Sequence, residues 1–373
     1  MRIVYIATST IPSRTANSIH VMKMCQAFAQ NGHEVTLIVP DWKEGIESGV
    51  EDVYEFYGVE RCFSIKYCGT QPGKLNRITY GLKAVKQAKK LSPHILYSRD
   101  VVTSYFATLQ YMQVIFESHA PIKDSGIFSN WIFQRLISMP TLKKIIVITQ
   151  ALKKYYLDNY PIPPETILVA PDGADMVPEQ TIPFQFPNQG RKLQVGYVGH
   201  LYKGRGIDII CQLADICSWA DFHIIGGRDT DIHYLQNNTS HLSNLYIHGF
   251  KTPRDAERYR LGCDVLIAPY QLRVSVFGKG DTTTENWMSP MKIFEYMAVG
   301  KAIVASDLPV LREVLYDEYN ALLCDPEDID TWVIAMTRLL NNTELRFKLG
   351  ENAKSEFYNK YTWYVRSRNI IIN

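Results

Sequence analysis

Ser-Pro-Met-Lys-Ile-Phe-Glu-Tyr-Met-Ala-Val-Gly-Lys-Ala-Ile-Val-Ala-Ser, residues 289–306, decides how the chain is read. Ser289 suits the cap of a helix whose first residue is Pro290, where a missing N–H is harmless, and Gly300 suits its close before a strand over Ala302–Ala305. The start of such a helix offers unpaired backbone N–H groups and a positive dipole end. Lys292 adds a cation there, and Glu295, three residues on, shares its face. The arrangement suits a diphosphate and a ribose. Taken alone it equally suits a surface helix whose Lys292 and Glu295 pair with each other, so the surrounding sequence has to decide.

Outward from this helix, β-branched runs alternate with helical stretches. Toward the C-terminal half they are Gln194–Val198, Ile207–Cys217, Asp221–Ile225, Leu245–His248, Val265–Ala268, Ala302–Ala305 and Ala321–Cys324. The first half repeats the pattern at Ile3–Ala7, Ser18–Gln30, Glu34–Val39, Thr79–Lys90, Ile95–Tyr97, Val114–Phe116, Lys144–Ile148, Gln150–Asn159 and Ile167–Ala170. Such alternation predicts parallel sheets with crossover helices. Between the two series, Asp175–Arg191 carries Pro178, Pro183 and Pro187 and reads as a linker. A chain of 373 residues exceeds what one core organises, so two α/β domains are expected. Ligands of open parallel sheets bind outside the carboxyl ends of the strands, which predicts two Rossmann-like domains facing each other across a cleft. The expected partition is 1–180, 181–351 and a closing segment 352–373 that packs back on the first domain.

Composition narrows the class. Hydrophobic residues make up 46% and charged residues 21%, as in an ordinary globular protein. The opening Met1-Arg2-Ile3-Val4-Tyr5-Ile6-Ala7 reads as a strand and lacks the form of a signal peptide, and no run is apolar enough for a membrane span. Seven cysteines, Cys25, Cys62, Cys68, Cys211, Cys217, Cys263 and Cys324, have no metal-ligand spacing, which favours a cytoplasmic location and no structural zinc. A net charge of +2 hides a local bias: from Gln71 to Leu157, thirteen Lys and Arg stand against Asp100, Glu117 and Asp124. That surplus fits either an anionic surface or simply solvated lysines. No nucleic-acid-reading motif accompanies it.

The first βα turn, Ala7–Arg14, lacks Gly-x-Gly-x-x-Gly, which disfavours a nicotinamide dehydrogenase. In the second half the corresponding turn, Gly196-Tyr197-Val198-Gly199-His200-Leu201-Tyr202-Lys203-Gly204-Arg205-Gly206-Ile207-Asp208, is a strand, a glycine loop with cations, and a helix start. It forms a candidate anion cradle. With Ser289–Ser306, Ile167–Asp175 and Phe116–His119, in that register, the chain resembles the retaining glycosyltransferases of family 4, which have the GT-B architecture.

The resemblance implies transfer of a sugar from a nucleotide diphosphate sugar to a glycan or polyprenyl-diphosphate-linked acceptor in bacterial-type cell-surface polysaccharide synthesis, as a metal-independent hexosyltransferase without a cofactor. It assigns His119 to the donor sugar, and Arg205 and Lys292 to the leaving diphosphate, as the catalytic set. It assigns Gly199, His200, Lys203, Gly204, Phe250, Ser289, Pro290, Met291 and Glu295 to donor binding, with Glu295 on the ribose and Phe250 in the turn that holds the base by main chain. Asn17, Ser18, His20 and Glu117 fall on the acceptor side, although Ser18 also reads as a plain N-cap and Glu117 as the partner that orients His119. Two departures stand out. Trp287 occupies the place of a second glutamate that many members carry, leaving the sugar's hydroxyls to N–H groups around Met288–Met291 and to Glu285. His200 stands where an arginine is frequent, leaving Lys203 and Arg205 to compensate. A nucleotide-sugar epimerase of the same fold and a non-catalytic sugar-nucleotide-binding subunit are the alternatives. The basic stretches Thr79–Lys90 and Trp131–Met139 lead to an expected peripheral association with the inner face of the membrane.

Overall fold

The computed structural model describes residues 1–42, 44–69, 76–275 and 284–372. Lys74 and Gln71 of the basic stretch, and Asn373, lie outside the described residues. The chain divides into two compact units, one of Met1–Asp172 together with the segment from Trp363 onward, the other of Gly173–Thr362.

In the first unit the order is β1 (Arg2–Ile6), α1 (Ala16–Gln30), β2 (Glu34–Pro40), α2 (Val53–Tyr57), β3 (Ser64–Cys68), α3 (Asn76–Lys89), β4 (Ile95–Ser98), α4 (Val101–Leu109), β5 (Val114–Ser118), α5 (Ile127–Leu136), β6 (Leu142–Val147), α6 (Gln150–Asn159) and β7 (Ile167–Val169). The second runs β8 (Leu193–Val198), α7 (Ile207–Ile216), β9 (Ala220–Ile225), α8 (Asp229–Asn238), β10 (Leu245–Gly249), α9 (Pro253–Gly262), β11 (Val265–Ala268), α10 (Met291–Ala298), β12 (Ala302–Ser306), β13 (Leu322–Cys324), α11 (Ile329–Asn341) and α12 (Thr343–Lys360). The last helix, α13 (Trp363–Ile372), belongs to the first unit.

Both sheets are parallel throughout. Their orders are β3-β2-β1-β4-β5-β6-β7 and β10-β9-β8-β11-β12-β13, so each reverses direction once, between β1 and β4 and between β8 and β11. These reversals are the switch points where the loops at the carboxyl ends part and leave room for a ligand. The strands on either side are buried nearly throughout, as expected when helices cover both faces of a sheet. In the second unit Val195, Phe222, Ile224, Val265 and Trp332 anchor one core cluster.

Several expectations need correction. Residues 173–180 and 352–362 belong with the second unit, so only α13 returns to the first. Asp175–Arg191 is no free linker: Phe186 stacks on His223 with centroids 3.8 Å apart, and Asn188 donates a hydrogen bond of 2.8 Å to Asp221. Its prolines rule out a ladder but not packing. Thr15, not Ser18, caps α1, and Ser18 is buried inside the helix with its hydroxyl donated to the Ser13 carbonyl at 2.8 Å. Pro290 is the residue before α10 and the helix begins at Met291, so Ser289 is no cap; Gly300 follows it at φ 66°. α4 was hidden by Val101-Val102-Thr103, which favours a strand, until Asp100 caps it by accepting from the Thr103 N–H at 2.7 Å.

The loop after β8 is pressed against the chain leaving β11. Gly206 sits at φ 77°, and a Cβ there would lie 1.7 Å from the Pro269 carbonyl oxygen. Only glycine fits. Gly206→Ala is expected to cost about 1–3 kcal/mol in strain alone, read by urea unfolding, because the clash with Pro269 forces the loop to shift.

Candidate functional site

At the switch point of the second sheet, two cations converge on one tyrosine. α10 brings Lys292 to the glycine loop, with Nζ 3.7 Å from the Tyr197 ring centroid and 5.1 Å from that of Tyr270. The Arg205 guanidinium carbon lies 5.3 Å from the Tyr270 centroid. Such ring faces favour a cation, but far less than an anion does. Among the described residues, buried Lys292 Nζ and Arg205 Nε have no hydrogen-bond partner. Burial and then the Arg205 charge hold the Lys292 amine well below the ordinary lysine range. Buried donors without acceptors are costly, and two cations of this kind at a strand's carboxyl end suit an anion.

The loop is shaped around this ammonium. At Gly199, φ 152°, a Cβ would come within 2.9 Å of Lys292 Nζ; at Gly204 it would meet the Arg273 carbonyl oxygen at 2.0 Å. His200 stacks on Tyr202 with centroids 4.7 Å apart, and its carbonyl accepts from the Tyr197 hydroxyl at 2.6 Å. Lys203 is exposed, and its carbonyl accepts from the Ser275 N–H at 3.2 Å. Glu295 takes a different partner from the one considered above: its Oε2 accepts from Arg260 Nη1 of α9 at 3.1 Å. Glu285, considered for the sugar, has its Oε2 taken by the Val274 N–H at 3.0 Å. Met288 and Ser289 are buried, Pro290 and Met291 half-buried at the start of α10, and Phe250 is exposed after β10.

The first unit builds a second cluster at the ends of β4 and β5. Buried Glu117 is its centre. Its Oε1 accepts from Arg366 Nη2 at 2.6 Å and from His119 Nε2 at 2.7 Å, and its Oε2 accepts from the Tyr97 hydroxyl. His20 Nε2 lies 3.3 Å from the same Oε1, and Asp172 Oδ1 is 3.9 Å from His20 Nδ1. The His20 ring stacks on His119 at 4.8 Å and on Trp363 at 5.3 Å. Burial pushes the Glu117 carboxyl up, but Arg366 and then His119 overcome it and hold it well below the usual range. Burial, with the Arg99 charge next, lowers His119, so its imidazole is neutral at physiological pH. His20, Glu117, His119 and Asp172 each offer one ligand atom within 4.8 Å of the others, the composition of a cation site, yet two guanidinium groups already act on it.

The structure thus brings Arg205 and Lys292 together, and His119 with Glu117 and His20. Asn17 lies about one turn before His20 and donates to Ser9 at 2.8 Å, whereas Ser18, two residues before His20, turns to the Ser13 carbonyl. Sequence reasoning missed Tyr97, Arg99, Asp172, Trp363 and Arg366. Asp172 lay inside the quoted Ile167–Asp175 stretch without a role; Arg366 is 249 residues from Glu117, and nothing local announces it.

The chain is similar to known proteins over most of its length. Residues 178–356 match the family of glycosyl transferases group 1, and residues 18–177 match Glycosyltransferase Family 4. An uncharacterized glycosyltransferase of Methanocaldococcus jannaschii, MJ1069, is 24% identical over 330 residues, covering 82% of this chain and 78% of the relative. A second from that organism, MJ1178, is 29% identical over 171 residues, which span 45% of this chain and 43% of the relative, less than half its length. The crystal structure of Anabaena Alr3699/HepE in complex with UDP is 13% identical and covers 100% of this chain and 98% of that one, with a TM-score of 0.74. At that identity the likeness establishes the fold, two parallel-sheet α/β domains of GT-B type.

Lys292→Met is expected to weaken binding of inorganic diphosphate at least about 10-fold by calorimetry, since it removes a charged donor, while leaving the melting temperature unchanged or higher. Because the free amine's pKa is lowered, it loses its proton earlier than an ordinary lysine as pH rises. A bound anion restores that proton. Affinity therefore falls as pH rises through the lowered value, and above it binding takes up a proton, visible as a buffer-dependent enthalpy that the variant lacks.

Proposed function

The chain belongs to glycosyltransferase family 4, and we propose that it is a retaining, metal-independent hexosyltransferase that takes its sugar from a uridine diphosphate donor. The observation that carries this reading is the pair of buried donors without a partner among the described residues, Arg205 Nε on the glycine loop of the second unit and Lys292 Nζ on α10 beside it. The uridine base is supported by the HepE structures with UDP and with UDP-glucose.

In the proposed reaction the bond from the anomeric carbon to the β-phosphate oxygen breaks as the acceptor's oxygen bonds to the same face of that carbon. The acceptor's proton passes to the departing phosphate oxygen. Negative charge grows on the diphosphate during this step, so Lys292 and Arg205 stabilise the transition state more than the ground state. Glu295, fixed by Arg260, accepts from the ribose hydroxyls. For the first unit we propose that His119, oriented by Glu117, is a hydrogen-bond partner for sugar hydroxyls. We read that unit's cluster as a hydrogen-bond network and not a cation site, because Arg366 and Arg99 balance Glu117 and Asp172.

For the acceptor we propose a polyprenyl-diphosphate-linked saccharide of cell-surface polysaccharide synthesis, reached at an anionic inner leaflet. No helix among the described residues is long and apolar enough to cross a membrane. α5 instead leaves Ile127 90%, Phe128 50% and Trp131 46% exposed, with the Arg135 guanidinium carbon 5.5 Å from the Trp131 centroid. α3 buries Tyr80, Ala84 and Val85 and exposes Lys83, Lys86 and Lys89. Apolar side chains beside cations suit the lipid interface.

Two measurements test this. A panel of uridine, guanosine and adenosine diphosphate sugars, with and without EDTA, should show a raised melting temperature and transfer with uridine donors in both conditions. His119→Ala should lower transfer about 100-fold with nucleotide binding kept; dependence on added divalent metal, or epimerised sugar as the product, contradicts the reading. Separately, the protein should float with anionic vesicles at low salt and not with neutral ones, and Phe128→Ser with Trp131→Ser should weaken this at least about 10-fold.

A further inference from the structure

Arg366 is buried in the first unit and held from several sides. Its Nε donates to the Pro171 carbonyl at 2.8 Å, its Nη2 to the Ala170 carbonyl at 3.1 Å, and the same Nη2 to Glu117 Oε1 at 2.6 Å. Glu117 Oε2 is taken by the Tyr97 hydroxyl. With a guanidinium fixed on one oxygen and a phenol on the other, the carboxylate stays ionised and can only accept. His119 Nε2, 2.7 Å from Oε1, must then be the ring nitrogen that carries the hydrogen. Trp363, one turn before Arg366 on the same face of α13, stacks on His20, which stacks on His119 and fixes the plane of its ring.

We propose that Arg366 is a positioning residue for His119: through Glu117 it locks the imidazole as the Nε2–H tautomer, so that Nδ1 is the ring's hydrogen-bond acceptor toward a ligand hydroxyl. Sugar hydroxyls donate readily to a neutral imidazole nitrogen, so α13 sets the polarity of this contact. Only the identity of that hydroxyl rests on the transferase reading. The groups acting on the ring are Glu117, Arg366 and Tyr97 on its Nε2 side, with His20, Asp172 and Arg99 around it.

The test is a two-bond proton–nitrogen correlation spectrum of protein with ¹⁵N-labelled histidine, His119 being assigned with His119→Gln. Wild-type protein should show the Nε2–H tautomer; an Nδ1–H ring overturns the proposal by itself, whether or not any variant folds. Arg366→Met should shift His119 to a tautomer mixture or to imidazolium, and Arg366→Lys, which keeps a charge on Glu117, should retain more of the native form. Ser367→Ala is the structural control, since it removes the hydrogen bond of 2.8 Å from Asn31 and that of 3.1 Å to the Tyr364 carbonyl and leaves the bonds of Arg366 and Glu117 in place. It should leave the tautomer unchanged. In transfer assays Arg366→Met should lower kcat about 100-fold with the donor KM within about twofold. An unchanged ring in Arg366→Met, or an equal change in Ser367→Ala, overturns the role. Wild-type protein that transfers no sugar yet shows these ring changes supports the positioning role and overturns only the transferase reading.

Discussion

Lys292 keeps its ammonium over the face of Tyr197, out of water and without an acceptor among the described residues. The surrounding architecture makes that position unavoidable. α10 begins at Met291, so the ammonium rises from its first turn, where the free N–H groups and the dipole end repel a cation. Gly199 leaves no side chain on the loop to shield it. Arg205 adds a second positive charge near Tyr270. Each of these features raises the cost of the lone ammonium, and each favours an anion beside it. A site built this way would favour a diphosphate through the cost of leaving its cations without acceptors, more than through many contacts.

Topology explains why these groups meet. Residues 199–206 leave β8, and residues 269–274 leave β11; the two strands pair across the reversal of the second sheet, so their outgoing loops part at one point. In the first sheet the equivalent reversal separates β1 from β4, and His119 follows β5, next to β4. The same rule of parallel βα packing places chemistry at the carboxyl ends in both units. What differs is the residue content of the turns: glycines and cations in one, and imidazoles and carboxylates in the other.

Much of this was legible in the sequence because it is local. Val265–Ala268 and Gln150–Asn159 were read with their observed bounds, since an apolar run between turn residues and a capped helix each carry their own signal. Lys292 stood out because it lies at a helix start, while Arg205 and His119 were assigned through the family resemblance, whose motifs are themselves local. The edge strand β3 went unread because Ser64-Ile65-Lys66-Tyr67-Cys68 is only partly buried and lacks a clear apolar run. Glu295 was assigned to the ribose, with Lys292 as the alternative partner on its own helix, whereas Arg260, which it meets, comes from α9 through tertiary packing. Arg366 escaped for the same reason on a larger scale: the chain must pass through the whole second unit before α13 returns it to Glu117.

The two clusters treat charge in opposite ways, and this follows from the work each would do. A diphosphate would bring its own negative charge and leave with more, which suits Lys292 Nζ and Arg205 Nε, both without a partner among the described residues. A sugar hydroxyl brings no charge, and an unbalanced ion beside it would bind water or buffer instead. The first unit therefore neutralises Glu117 with Arg366 before any ligand enters and turns an uncharged ring outward. Burial makes both choices sharp. In low dielectric an unpaired cation attracts an anion strongly, while a closed ion pair holds its orientation with little competition from solvent. Charge is thus left open at Lys292 Nζ and Arg205 Nε and closed at Glu117, as an anionic group and a neutral one would respectively require.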